Sequence, residues 1–194
     1  FFCEQAPTEG GATPICRSDL ALATLETTRP GFVQKLRNIG VRYRNAMPES
    51  ADLASGQGRS WRDTLNVSDR EQAEQRLTEL GYNFQWLDGG GLSVQTPALL
   101  AVDEFGRGKD VFFNQIVAAA AGWTNAESDE TPRLCYGDYS RIDKDDLDAA
   151  IAACYEHTVD LDWQTGDIAL LDNLKACKAM PRWIDSPKKV SSHA

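Results

Sequence analysis

Residues 83–95 constrain the fold more than any other stretch. Asn83 to Leu87 and Leu92 to Gln95 are short alternating runs separated by Asp88-Gly89-Gly90-Gly91. Turn-forming glycines between two such runs signal a β-hairpin, which commits the chain to antiparallel pairing. Leu99 to Val102 and Asp110 to Asn114 repeat the pattern around the turn Glu104 to Gly108, and Val41 to Arg44 alternates as a short strand. Helices interrupt these strands. Ser18 to Glu26 reads as one, and Pro30 to Ile39 as another, with Phe32, Leu36 and Ile39 at helical spacing and Gly40 able to end it. Ser68-Asp69-Arg70-Glu71 predicts a capping box with Ser68 as the cap. The helix it opens runs to Leu80, with Ala73, Leu77 and Leu80 on the buried side. A short helix follows near Gln115 to Ala121, Asp143 caps another through Glu156, and Ile168 to Leu171 reads as a buried strand. Strands and helices do not alternate regularly, so a doubly wound parallel fold is excluded. The expectation is a mainly-β sheet sandwich with helical insertions.

Residues 1–194 are read as one domain, since 42% apolar content is enough for a sizeable core. A net charge of −9 argues against nucleic acid, whose phosphates call for clustered Lys and Arg. No apolar run approaches the roughly 18–20 residues that cross a bilayer, so no membrane partner is expected. Five scattered cysteines without a C-x-x-C pair fit reduced, buried thiols of a soluble intracellular protein better than a disulfide framework or a zinc site. Phe1-Phe2-Cys3 reads as the middle of a strand in a longer parent. His157 ends the helix that begins at Asp143, where a cation is favoured, and is read as structural. The five tryptophans are read as core or pocket-mouth residues. No Gly-x-Ser-x-Gly elbow, phosphate loop or dinucleotide fingerprint is present.

Two motifs near opposite ends carry the chemistry. The first is Glu9-Gly10-Gly11-Ala12-Thr13-Pro14-Ile15-Cys16. The second is Trp163-Gln164-Thr165-Gly166-Asp167, an apolar run and Asp172-Asn173, followed by Lys178 and Pro187-Lys188-Lys189. Together they resemble the taurine-dioxygenase (TauD/TfdA-like) family of iron(II)- and 2-oxoglutarate-dependent oxygenases, in its clavaminate synthase-like plant and algal branch. Gly58-Arg59-Ser60-Trp61, Phe84-Gln85-Trp86, Phe112-Phe113-Asn114, Gly122-Trp123 and Tyr136-Gly137-Asp138 also have counterparts there.

The resemblance implies a double-stranded β-helix, or jelly roll, here incomplete at the N-terminus, and oxidation of a small-molecule substrate. It implies iron(II) held by two histidines and a carboxylate, with 2-oxoglutarate bound beside it by a cation and a hydroxyl. The first histidine and the carboxylate belong to a His-x-Glu/Asp motif expected upstream of Phe1. Thr13 takes the position of a 2-oxoglutarate-binding threonine, and Asn114 lies near the substrate pocket in relatives. The distal iron histidine falls five residues after Asn173, at Lys178. The co-substrate arginine falls eleven residues further, at Lys189, and a substrate-contacting arginine four residues beyond that, at His193. Lys189 retains the positive charge, as a point charge without the planar arginine fork. Lys178 is not expected to ligate, because an ammonium has no lone pair for iron. The stretch by itself is therefore expected to be inactive. The alternative from the residues is a metal-free relative that binds a small anion through Lys178 and Lys189.

Overall fold

The computed structural model describes residues 1–9, 11–51, 59–104, 108–112, 115–122, 133–173 and 175–178, and the account is confined to them. Nine strands and six helices alternate irregularly. In chain order they are β1 Thr13–Arg17, α1 Ser18–Thr28, α2 Pro30–Asn38, β2 Val41–Met47, α3 Trp61–Leu65, α4 Arg70–Glu79, β3 Asn83–Trp86, β4 Leu92–Gln95, β5 Val102–Asp103, β6 Val111–Phe112, α5 Ile116–Gly122, β7 Leu134–Tyr136, α6 Lys144–Glu156, β8 Thr158–Leu161 and β9 Ala176–Lys178. Every strand pairing is antiparallel, in sheets of order β8-β1-β9, β3-β4-β2-β7 and β5-β6. The balance is mixed helix and strand, where the alternating runs predict mainly strand. The longest helix has 13 residues and the longest strand 7.

The hairpin of residues 83–95 forms as its glycines require: Phe84 faces Val94 and Trp86 faces Leu92 across a turn at Asp88–Gly90. β2 extends to Met47, beyond its alternating core, because β4 pairs with it through Met47↔Leu92. This sheet and helices α3 and α4 enclose one cluster, in which Trp61, Ala73, Leu77 and Leu92 are fully buried. Leu80 is not on that buried face. It caps α4 at 44% exposure, one residue past the last full helical turn.

The α4 cap sits one residue later than the sequence pattern suggests. Asp69 is the extended cap residue; its carboxylate accepts from the Gln72 N–H at 2.9 Å. The Gln72 side chain reaches back to the Ser68 N–H at 3.1 Å. The Ser68–Glu71 box is replaced by this arrangement, in which the return bond goes to the residue before the cap, and a carboxylate complements the helix N-terminus better than a hydroxyl does. Asp143 is the cap residue of α6, as expected, without a side-chain cap bond.

A second cluster holds the β8-β1-β9 sheet to the helices. Cys16 on β1 packs with Leu22 and Leu25 of α1 and with Ala150, Ala153 and Cys154 of α6. His157, following α6, joins the two helices through its Nε2 and the Thr24 hydroxyl at 2.8 Å, a structural role. Side chains alternate across a strand, so burial of Cys16 and its β8 neighbour Thr158 turns Thr13, Ile15, Val159 and Leu161 to the other face. On that face Val159 is 68% exposed.

The segment Ile168 to Leu171 departs from the buried strand predicted by its apolar composition. Phe1–Cys3 runs antiparallel to it: Ala169 N–H donates to Phe1 C=O at 2.9 Å and Cys3 N–H to Asp167 C=O at 2.9 Å. Phe2 forms an isolated antiparallel bridge with Ile168 rather than part of a regular strand. Yet Ile168 is 78% and Leu170 96% exposed, because among the described residues no second layer lies over them.

Candidate functional site

The candidate site gathers where the two terminal motifs meet. β1 supplies Thr13 and β9 ends on Lys178, and the register sets Ile15 opposite Lys178 on adjacent antiparallel strands. Thr13 lies two residues from that pair along β1. Pro14 stands opposite Asp160 on the β8 side of the strand.

The turns on either side of Thr13 explain their glycines. Gly11 has φ +74°, and a Cβ there would stand 2.4 Å from Pro7 Cγ. Only glycine accommodates both the left-handed backbone and the approach of the proline ring. Gly166, at φ +93°, has open space around it, so the backbone alone demands glycine. It belongs to a tight turn in which Gln164 N–H donates to Asp167 Oδ2 at 2.8 Å and Asp167 N–H to Gln164 C=O at 3.0 Å.

That turn is fastened to the start of the chain. Gly166 N–H donates to Cys3 C=O at 2.8 Å, and Ala6 N–H donates to Thr165 Oγ1 at 3.0 Å. Trp163 Nε1–H donates to Thr13 Oγ1 at 2.9 Å. Further along β1, Arg17 pairs with Asp19 at 2.6 Å. Their side-chain hydrogen bond raises the guanidinium pKa and lowers that of the carboxyl.

Of the residues singled out from sequence, Thr13 and the Lys178 position are brought together. Asn114, Lys189 and His193 lie outside the described residues. The chain beside Asn114 is anchored by Tyr43, whose hydroxyl accepts from the Gln115 N–H at 3.0 Å. Burial pushes the Tyr43 pKa up to about 12. Trp163 is a residue that composition alone assigns to the core or the pocket mouth. The signal for it was its place directly before Gln164-Thr165-Gly166-Asp167.

The Thr13 hydroxyl accepts from Trp163, and among the described residues none accepts its proton. The described residues hold no iron-ligand set. Among the described residues no three His, Cys, Asp or Glu side chains converge, and a lysine stands at the position of the distal histidine.

Comparison with known proteins agrees with this arrangement of motifs. The sequence profile of the family described as taurine catabolism dioxygenase TauD, TfdA family matches residues 1–177. The chain is 33% identical over 191 residues to Clavaminate synthase-like protein At3g21360 of Arabidopsis thaliana, covering 98% of this chain and 58% of that protein. It is 24% identical over 186 residues to dapdiamide synthesis protein DdaC of Enterobacter agglomerans, covering 90% of this chain and 54% of that protein. The chain therefore spans little more than half the length of these relatives. With the profile matched from residue 1 to residue 177 and both motifs joined in one sheet, the chain belongs to the TauD/TfdA dioxygenase family.

Proposed function

We propose that this chain is part of a 2-oxoglutarate-dependent, dioxygenase-type oxidoreductase that acts on a small molecule. The observation that carries the reading is the pairing of β1, with Thr13, against β9, ending at Lys178. Family membership supports it. In the proposed full architecture the β8-β1-β9 sheet is one wall of a jelly roll, and its Thr13-bearing face looks inward. The Thr13 hydroxyl binds a carboxylate of 2-oxoglutarate, and Lys189 supplies the opposing charge. In the family, metal and co-substrate supply the oxidant while the protein aims it at a C–H bond. With a lysine at the distal-histidine position, this reading has the stretch by itself bind the co-substrate without turning it over.

A second reading is favoured by the lysine at 178. It makes the chain a metal-free relative in which Lys178 and Lys189 hold a small anion, insensitive to iron. Calorimetric titration of 2-oxoglutarate into the full-length protein, carrying the upstream His-x-Glu/Asp segment with Lys178 and with Lys178→His, each with iron(II) and with a chelator, separates the two. Tighter binding with iron, restored or strengthened by Lys178→His, supports the oxygenase reading. Equal binding with iron and chelator in both proteins supports the metal-free reading and refutes the first.

A further inference from the structure

We propose that Trp163 is a positioning residue that commits the Thr13 hydroxyl to donating toward a carboxylate ligand. The inference rests on the co-substrate reading above and assigns a role to a residue that reading does not use. An indole Nε1–H can only donate, so the direction of the 2.9 Å bond between Trp163 and Thr13 is fixed by chemistry. A threonine hydroxyl carries one proton and accepts through its lone pairs. With the indole occupying one acceptor site, the hydroxyl proton points away from Trp163, and among the described residues no acceptor takes it. The hydroxyl proton is thereby kept for an acceptor group, such as the carboxylate of a 2-oxo acid, while one of its two lone pairs is already taken.

Trp163 is suited to this role because its own position is overdetermined. The Gln164–Asp167 turn closes on itself by two bonds, of 2.8 and 3.0 Å. It is fastened to Cys3 and Ala6 by two more, also of 2.8 and 3.0 Å. The indole thus reaches Thr13 from a braced turn. A hydroxyl held in one rotamer before the ligand arrives gives up less freedom on binding, which is how preorganisation adds affinity.

The test uses the 194-residue chain and nuclear magnetic resonance of its five indole N–H groups, with 2-oxoglutarate as the probe. Trp163→Phe removes one indole signal and so assigns it. Thr13→Val is expected to shift that signal, and Thr13→Ser to leave it near its wild-type position. Added 2-oxoglutarate is expected to move the signal in the wild type. Trp163→Phe is expected to weaken 2-oxoglutarate binding about two- to tenfold, the span of one neutral hydrogen bond. In the Thr13→Val background the same change is expected to cost nothing further, a coupling that a merely structural tryptophan would not produce. A Trp163 signal indifferent to Thr13→Val refutes the bond and the inference with it. Wild-type binding that Trp163→Phe leaves unchanged refutes the positioning role while the co-substrate reading stands. Failure of 2-oxoglutarate to bind the wild type refutes both. Should Trp163→Phe not fold, the Thr13→Val and Thr13→Ser pair decides in the native indole background: loss of the signal position and of binding in valine alone supports the role, and any other pattern refutes it.

Discussion

Replacing Gly11 by alanine tests the local reasoning at the site most directly, because two separable costs meet there. The first is conformational. Gly11 has φ +74°, and placing an L-residue in left-handed backbone costs roughly 1–2 kcal/mol. The second is steric. The new methyl would lie 2.4 Å from Pro7 Cγ and 2.9 Å from Pro7 Cβ, so the proline or the turn must move, and such overpacking costs about 1–3 kcal/mol. Gly81 supplies the control: its φ is +71°, and nothing lies within 4 Å of its would-be Cβ. Gly81→Ala therefore isolates the backbone term, at about 1–2 kcal/mol. Gly11→Ala should cost about 2–5 kcal/mol, the sum of both terms. Urea unfolding at equal protein concentration measures both, with the midpoint read only if the slope is unchanged. Gly11→Ala should also move the Trp163 indole signal, since the displaced turn carries Thr13. A Gly11→Ala protein no less stable than Gly81→Ala would refute the steric argument and with it the close packing of Pro7.

Three further outcomes follow from the same structure. Asp69→Ala should cost about 1 kcal/mol in urea unfolding and Ser68→Ala should be near neutral, the reverse of the order expected if Ser68 were the cap. Leu77→Ala, at 0% exposure within the cluster around Trp61, should cost about 2–5 kcal/mol by the same measurement; a loss under 1 kcal/mol would contradict the packing. The third outcome concerns alkaline pH. Tyr43 has its folded pKa raised to about 12 from an ordinary value of 10.0, so its stabilisation is complete below pH 10 and is lost as pH rises toward 12. Tyr43→Phe should flatten the fall in stability over that window, by up to roughly 2–3 kcal/mol. Stability curves of the two proteins that stay parallel between pH 9 and 12 would count against the buried phenol.

The hairpin around Asp88–Gly91 and helices α1, α2, α4 and α6 were legible because glycine placement, caps and helical spacing are local signals. The sheet that carries the candidate site was not. β1 contains Pro14, which argues against a strand unless the pairing of its neighbours is known, and β8 is Thr158-Val159-Asp160-Leu161, too short and polar to stand out. β9 has only 3 residues. Each is a strand because of what lies beside it, over sequence separations that no local pattern reports. The apolar run Ile168 to Leu171 failed in the opposite direction, since composition says what a segment prefers and not whether a layer exists to bury it. Thr13 and Lys178 were found through family spacing, whereas the bond from Trp163 to Thr13 is visible only in three dimensions.

The order of the sheet also sets an order of events during synthesis. β1 is complete at residue 17, but both its partners, β8 and β9, lie beyond residue 157. At about 5–20 residues per second, the ribosome needs roughly 7–30 s to make the intervening chain. Throughout that interval the strand bearing Thr13 and Cys16 has neither of its ladder partners, and its edges are open to any other unpaired strand. Helix α1, directly after β1, is its earliest native neighbour. α6 and the two partner strands then arrive in quick succession, so the site is assembled only when its two motifs first share a molecule.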